Sequence, residues 1–180
     1  MTTEPSAGAP GVGTYSVTFT YEGKEYTATD QVVIPATGVT VSGNITSFVG
    51  RTEEGQVFVE LFAEGSEEAA YTATVSEDNA TYTFTGVASG TYTMKVSKKD
   101  HVTRSYDVTV ANEAVAQDVK IHLLGDVNGD GSVDTYDVAR ANSHARLVSF
   151  LEGYELACAD IDGDGEITTF DVARMNSHAR

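Results

Sequence analysis

The feature that most restricts this chain is an internal duplication. Asp126-Val127-Asn128-Gly129-Asp130-Gly131-Ser132-Val133-Asp134-Thr135-Tyr136-Asp137 returns 34 residues later as Asp160-Ile161-Asp162-Gly163-Asp164-Gly165-Glu166-Ile167-Thr168-Thr169-Phe170-Asp171. The residues after it repeat as well: Val138-Ala139-Arg140 and Asn142-Ser143-His144-Ala145-Arg146 recur as Val172-Ala173-Arg174 and Asn176-Ser177-His178-Ala179-Arg180. Each copy sets oxygen-bearing side chains at loop positions 1, 3, 5, 9 and 12, with glycine at the sharp turn of position 6. Calcium is a hard cation that takes six to eight oxygens, and a twelve-residue loop delivers them from those positions plus the backbone carbonyl of position 7. The first ligand set is then Asp126, Asn128, Asp130, Asp134 and Asp137 with the carbonyl of Ser132. The second is Asp160, Asp162, Asp164, Thr168 and Asp171 with the carbonyl of Glu166. Asp/Gly-rich segments also make ordinary turns, and a single copy leaves that reading open. Two aligned copies favour two bound Ca²⁺ as cofactors.

Charge agrees with this reading. The chain has 180 residues and a formal net charge of -16, of which residues 125 to 180 hold eleven acids against four arginines. So acidic a chain repels nucleic acid and anionic membrane surfaces, which argues against both as partners. No stretch approaches the roughly 18 apolar residues of a membrane span. The polar start from Met1 to Pro10 does not read as a signal peptide, so any export signal is expected outside it. Cys158 is the lone cysteine. It cannot form an intramolecular disulfide, and between Ala157 and Ala159 it reads as a small core residue.

From Tyr15 to Leu124 the pattern has period two. Tyr15, Val17, Phe19 and Tyr21 alternate with Ser and Thr up to the turn Glu22-Gly23-Lys24, followed by Tyr26 and Ala28. Alternation resumes after Pro35 to Gly38 in runs around Val39 to Ile45, Val57 to Leu61, Tyr82 to Phe84, Tyr92 to Val96, Tyr106 to Val110 and Val119 to Leu123. Half-buried strands in this number and at this spacing predict a β-sandwich. The run Tyr82-Thr83-Phe84-Thr85-Gly86-Val87 leading to Ser89-Gly90-Thr91-Tyr92 resembles the small Ig-like sandwich of the carboxypeptidase regulatory-like families. The chain has no Trp. Its strand tyrosines read more simply as core or cross-strand residues than as a sugar platform.

Residues Val119 to Leu124 alternate like a strand, so no helix is expected to lead into the first loop. A loop followed only by its exiting helix, the Gly125-Asp126-Val127-Asn128-Gly129-Asp130-Gly131 opening and the Asp at position 12 together resemble a dockerin, over about the last third of the chain. Helices are expected from about Thr135 to Leu147 and from Thr169 to Arg180, with Val138, Ala141 and Ala145 packing on Val172, Met175 and Ala179. The expected fold is therefore an Ig-like β-sandwich followed by a small all-α dockerin module with two calcium-binding loop-helix (F-hand) repeats. The expected division is a linker over 1–13, a hairpin or the tail of an upstream domain over 14–37, the sandwich over 38–124 and the dockerin-like module over 125–180.

The resemblance implies a partner, a cohesin module of a scaffoldin or cell-surface anchoring protein, and hence a secreted, extracellular setting of the cellulosome kind. It implies contact through loop positions 10 and 11 and the following helix: Thr135, Tyr136, Arg140, Asn142, Ser143, His144 and Arg146, and in the second copy Thr169, Phe170, Arg174, Asn176, Ser177, His178 and Arg180. The aromatic residue at position 11 departs from the paired small hydroxyls of many dockerins and points to the divergent forms of gut or rumen ruminococci. Tyr136 and Phe170 are open between core and contact roles, and the arginines between contact and solvated helix charge. His144 and His178 are explained by the helix macrodipole. No nucleophile-base motif or phosphate loop is present, so a non-enzymatic binding protein is expected. The alternative is the carboxy-terminal fragment of a secreted glycan-degrading enzyme whose sandwich binds carbohydrate.

Overall fold

The computed structural model describes residues 2–3, 11–34, 37–47 and 55–179. Twelve strands and three helices lie among them. The amino-terminal strands are β1 (Thr2–Thr3), β2 (Gly11–Tyr21) and β3 (Lys24–Ile34), in the order β1-β2-β3. Glu22 and Gly23 take φ of 50° and 74° between β2 and β3. Two consecutive positive φ values make the tight turn whose twist matches a hairpin, and Gly23 adopts its share without a Cβ penalty.

The sandwich follows. Its strands are β4 (Val39–Thr46), β5 (Phe58–Ala63), β6 (Ala69–Thr72), β7 (Thr74–Val75), β8 (Thr81–Val87), β9 (Gly90–Ser97), β10 (Arg104–Val110), β11 (Val115–Ala116) and β12 (Val119–Lys120). One sheet runs β10-β9-β5-β6 and the other β11-β4-β8-β7, with β12 also pairing β4. The alternating residues meet between the sheets: Val41, Val59, Leu61, Phe84, Met94, Val96, Val108 and Ile121 are all buried in one core. Tyr82 lies in that core and donates its hydroxyl to the Gln117 carbonyl, so the ring is buried with its polar tip satisfied. The same period in β2 has another outcome, because Tyr15, Val17, Phe19 and Tyr21 are exposed.

Helices α1 (Thr135–Ala145), α2 (Gly153–Ala159) and α3 (Thr169–His178) close the chain. Val127, Ala141, Leu151, Ala159, Ile167 and Met175 form a second, smaller core, with Val138, Ala145 and Val172 packed against it. The expected all-α module is corrected here. The molecule is mostly β, and residues 125–179 are helical only in runs of 11, 7 and 10 residues separated by turns. Nor are the two repeats equivalent: the first loop follows a strand and a β-bridge, His101 to Leu123, whereas the second follows α2. The physical reason is local. In each loop backbone N–H groups bond to aspartate side chains instead of to carbonyls four residues back, so the loops stay non-helical. Both long helices also stop short of their expected ends, at Ala145 and His178.

Candidate metal-binding and docking site

The two loops share one internal wiring. Asp126 Oδ1 accepts from the N–H of Gly129 at 2.7 Å and of Asp130 at 3.2 Å, and its Oδ2 accepts from Gly131 at 2.9 Å. Asp160 repeats this with Gly163 at 2.8 Å, Asp164 at 3.2 Å and Gly165 at 2.9 Å. The position-12 carboxylates close each loop from the helix side. Asp137 accepts from Val127, Asn128 and Asp134 N–H at 2.9, 3.2 and 2.9 Å. Asp171 accepts from Ile161 N–H at 3.0 Å and from the N–H and hydroxyl of Thr168 at 2.9 and 3.1 Å. Asp134 and Thr168 also cap α1 and α3, each in a reciprocal capping box with the aspartate three residues on. One aspartate thus ties loop to helix in both repeats.

Burial separates the two position-12 groups electrostatically. Burial pushes the Asp137 carboxyl up, and the charge of Asp126 adds to that against three backbone hydrogen bonds. Burial also acts upward on Asp171, but hydrogen bonds from Thr168 and Ile161 outweigh it and hold that group below the usual carboxylate range.

The donor set fits a hard cation. Asp160, Asp162 and Asp164 bring carboxylate oxygens within 4.8 Å of one another. The Arg140–Glu155 ion pair, at 2.9 Å, neutralises none of them. Three converging carboxylates repel, and a divalent cation relieves that repulsion while taking oxygen ligands. In the first loop position 3 is Asn128, whose Nδ2 donates to Asp130 Oδ2 at 2.8 Å. Asp126, Asp137 and Asp171 are buried, whereas Asp130, Asp162, Asp164 and Glu166 are exposed.

The proposed contact residues are not equally open. Thr135, Tyr136 and Arg146 are exposed, but Asn142, Ser143 and His144 are half-buried because the chain after α1 folds back on them. Ser143 O accepts from Val148 and Ser149 N–H, His144 Nδ1 accepts from Leu151 N–H at 2.8 Å, and the Phe150 ring meets His144 edge-on. Arg140 is engaged by Glu155. The second copy is more exposed, with Thr169, Phe170, Arg174, Asn176, Ser177 and His178 all exposed and the Arg174 guanidinium 4.9 Å from the Phe170 ring centre. Arg180 lies outside the described residues.

A second cluster, which the sequence does not announce, joins the modules. The Tyr154 hydroxyl of α2 donates to the Val102 carbonyl at 2.6 Å and accepts from His122 N–H at 3.0 Å. The guanidinium of Arg104 sits 4.6 Å from the Tyr154 ring centre, and the His122 ring meets Tyr154 edge-on at 4.9 Å. Cys158 is buried beside His122, at 3.7 Å from its Nδ1, as its expected core role requires. Burial pushes the Cys158 thiol up to about 12, reinforced by Asp126, and lowers His122 below its ordinary value against the pull of Asp126. These residues come from three segments, around Val102, His122 and Tyr154, that lie 20 to 52 positions apart, and no spacing rule links them.

Fold and site together define a β-sandwich followed by a module of two acidic loops, each leading into a capped helix. Residues 124–178 match the dockerin type I domain model, and residues 36–124 match the second β-sandwich domain of BOS complex subunit NOMO1-like proteins. The chain carries a dockerin type I domain preceded by a β-sandwich domain, and both are non-catalytic modules. No curated protein matches the chain. Among solved structures, an interface mutant of a type II cohesin–X-dockerin complex from Acetivibrio cellulolyticus is 22% identical, with 79% of this chain and 96% of that one covered at a TM-score of 0.36. BcpA, the major pilin subunit of Bacillus cereus, is 16% identical over 66% of this chain and 40% of its own, at 0.42. These likenesses are loose and carry no functional weight.

Proposed function

We propose that residues 125–179 are a calcium-dependent docking module that binds a cohesin-type partner and anchors its parent protein, outside the cell, to a scaffoldin or cell-surface protein. The observation that carries this reading is the match to the dockerin type I model over the segment in which both loops are wired to their following helices through Asp137 and Asp171. Two Ca²⁺ would be held by Asp126, Asn128, Asp130, Asp134, Asp137 and the Ser132 carbonyl, and by Asp160, Asp162, Asp164, Thr168, Asp171 and the Glu166 carbonyl. The ions would supply the positive charge that lets each loop close, which presents its helix in a fixed orientation. The sandwich over 38–124 serves as the spacer that carries the module.

Exposure favours the α3 face as the principal docking surface. Phe170, Arg174, Asn176 and Ser177 are open, whereas their counterparts on α1 are partly covered by the chain from Leu147 to Leu151 or, for Arg140, engaged by Glu155. The duplication alone implies two alternative docking orientations; the unequal exposure ranks them. The test is calorimetry against a panel of cohesins with and without calcium. Binding of one cohesin in calcium and not in chelator supports the proposal, and binding of none, or binding indifferent to calcium, overturns it. Asn176→Asp/Ser177→Asp is expected to weaken that binding more than Asn142→Asp/Ser143→Asp.

A further inference from the structure

The amino-terminal ribbon has an unusual face. Pairing of Tyr15 with Asp30, Val17 with Ala28, Phe19 with Tyr26 and Tyr21 with Lys24 sets these residues on one side of β2 and β3. Ser16, Thr18, Thr27 and Thr29 take the other side, cross-bonded as Ser16 to Thr29 and Thr18 to Thr27. The second side is polar from Ser16 to Thr29, with Val33 beyond them 65% exposed, while Tyr15, Val17, Phe19 and Tyr21 on the first side are 64%, 67%, 56% and 61% exposed. Phe19 and Tyr26 stack with ring centres 5.3 Å apart. With Tyr26 and Val32 this face offers on the order of 600 Å² of apolar surface. That is at or above the largest patch ordinary for a monomer, and most of the roughly 800 Å² per partner of a standard interface. A two-stranded ribbon is itself only marginally stable in water unless its apolar face is covered.

The charges on that face say what covers it. Asp30 lies near the base and Lys24 at the tip, where its ammonium reaches over the Tyr26 ring at 5.6 Å. Six residues of strand separate them, about 20 Å. A face with an acid at one end and a base at the other is complementary to itself when a second copy is laid on it antiparallel, because a two-fold axis then sets each Lys24 over the other copy's Asp30. We infer that the chain forms a two-fold dimer in which the aromatic faces of two β2–β3 ribbons pack together, registered by reciprocal Lys24–Asp30 pairs. Face-to-face packing at about 10 Å makes a small four-stranded sandwich from two half-built ones.

The test uses the whole chain in sedimentation velocity across the micromolar range. The unaltered protein should pass from monomer to dimer with rising concentration, and Phe19→Asp should remain monomeric. Lys24→Glu and Asp30→Lys should each weaken self-association roughly tenfold, since each creates two like-charge pairs. The discriminating arm is their mixture: a Lys24→Glu chain and an Asp30→Lys chain restore both opposite-charge pairs in the heterodimer, so equimolar mixing should recover association that neither variant has alone. A merely misfolded hairpin would not be rescued by mixing. A protein that stays monomeric throughout, or charge variants that dimerise like the unaltered chain, or a mixture no better than its components, overturns the inference.

Discussion

Replacing Tyr154 by phenylalanine isolates the joint between the sandwich and the carboxy-terminal module. The substitution keeps the ring, its contact with His122 and the Arg104 guanidinium above it, and removes only the hydroxyl that donates to Val102 O and accepts from His122 N–H. Two hydrogen bonds at about 1 kcal/mol each are lost, and the His122 N–H, on a buried residue, is left without its partner. Tyr154 is half-buried, so water recovers part of the loss. The expected cost is about 2 kcal/mol, or a fall in Tm of roughly 4–8 °C for a chain of this size. Tyr154→Ala also removes the ring that fills the joint and should cost about 4 kcal/mol. Urea unfolding followed by far-UV circular dichroism in excess calcium measures both. A Tyr154→Phe protein within 0.5 kcal/mol of the unaltered one, or equal losses for the two variants, would refute the reasoning.

Removing calcium with a chelator should reduce the helical signal of residues 125–179 while the sandwich, whose core is separate, keeps its strand signal. Asp126→Ala combined with Asp160→Ala should reproduce the chelator in the same spectra, and each alone should do less; full helicity in the double variant contradicts the ligand assignment. His122 is held neutral in the fold, below its ordinary value of 6.5, by burial together with Lys120 and Arg104 and against the opposing pull of Asp126. The unfolded chain therefore binds the extra proton first, so stability is full above pH 6.5 and declines as pH falls from there through the folded value; His122→Gln should flatten that slope in melts between pH 7 and 5. Gly129→Ala should destabilise the first loop by about 2 kcal/mol or more, since its φ is +71° and a Cβ would lie 2.3 Å from His122 Nε2; denaturant titration checks it.

Much was legible in the chain itself because it depends on local geometry. A glycine at loop position 6, an aspartate that caps its own helix and an alternation of valine with threonine act within a dozen residues, so the loops, the starts of α1 and α3 and most sandwich strands follow from spacing. The tertiary structure decided what spacing cannot express. Period two in Tyr15, Val17, Phe19 and Tyr21 states that one face is apolar, but only the placement of the ribbon away from the sandwich core leaves that face in water. Two repeats nearly identical in sequence become unequal because what precedes and follows them differs: the Phe150–Leu151 segment shields one helix, and α2 leads into only one loop. The joint of Val102, Arg104, His122 and Tyr154 is assembled from three distant segments, and its energy comes from a hydroxyl meeting a carbonyl 52 residues away. Local sequence fixes which conformation each segment prefers, whereas burial and long-range pairing exist only once the segments have met.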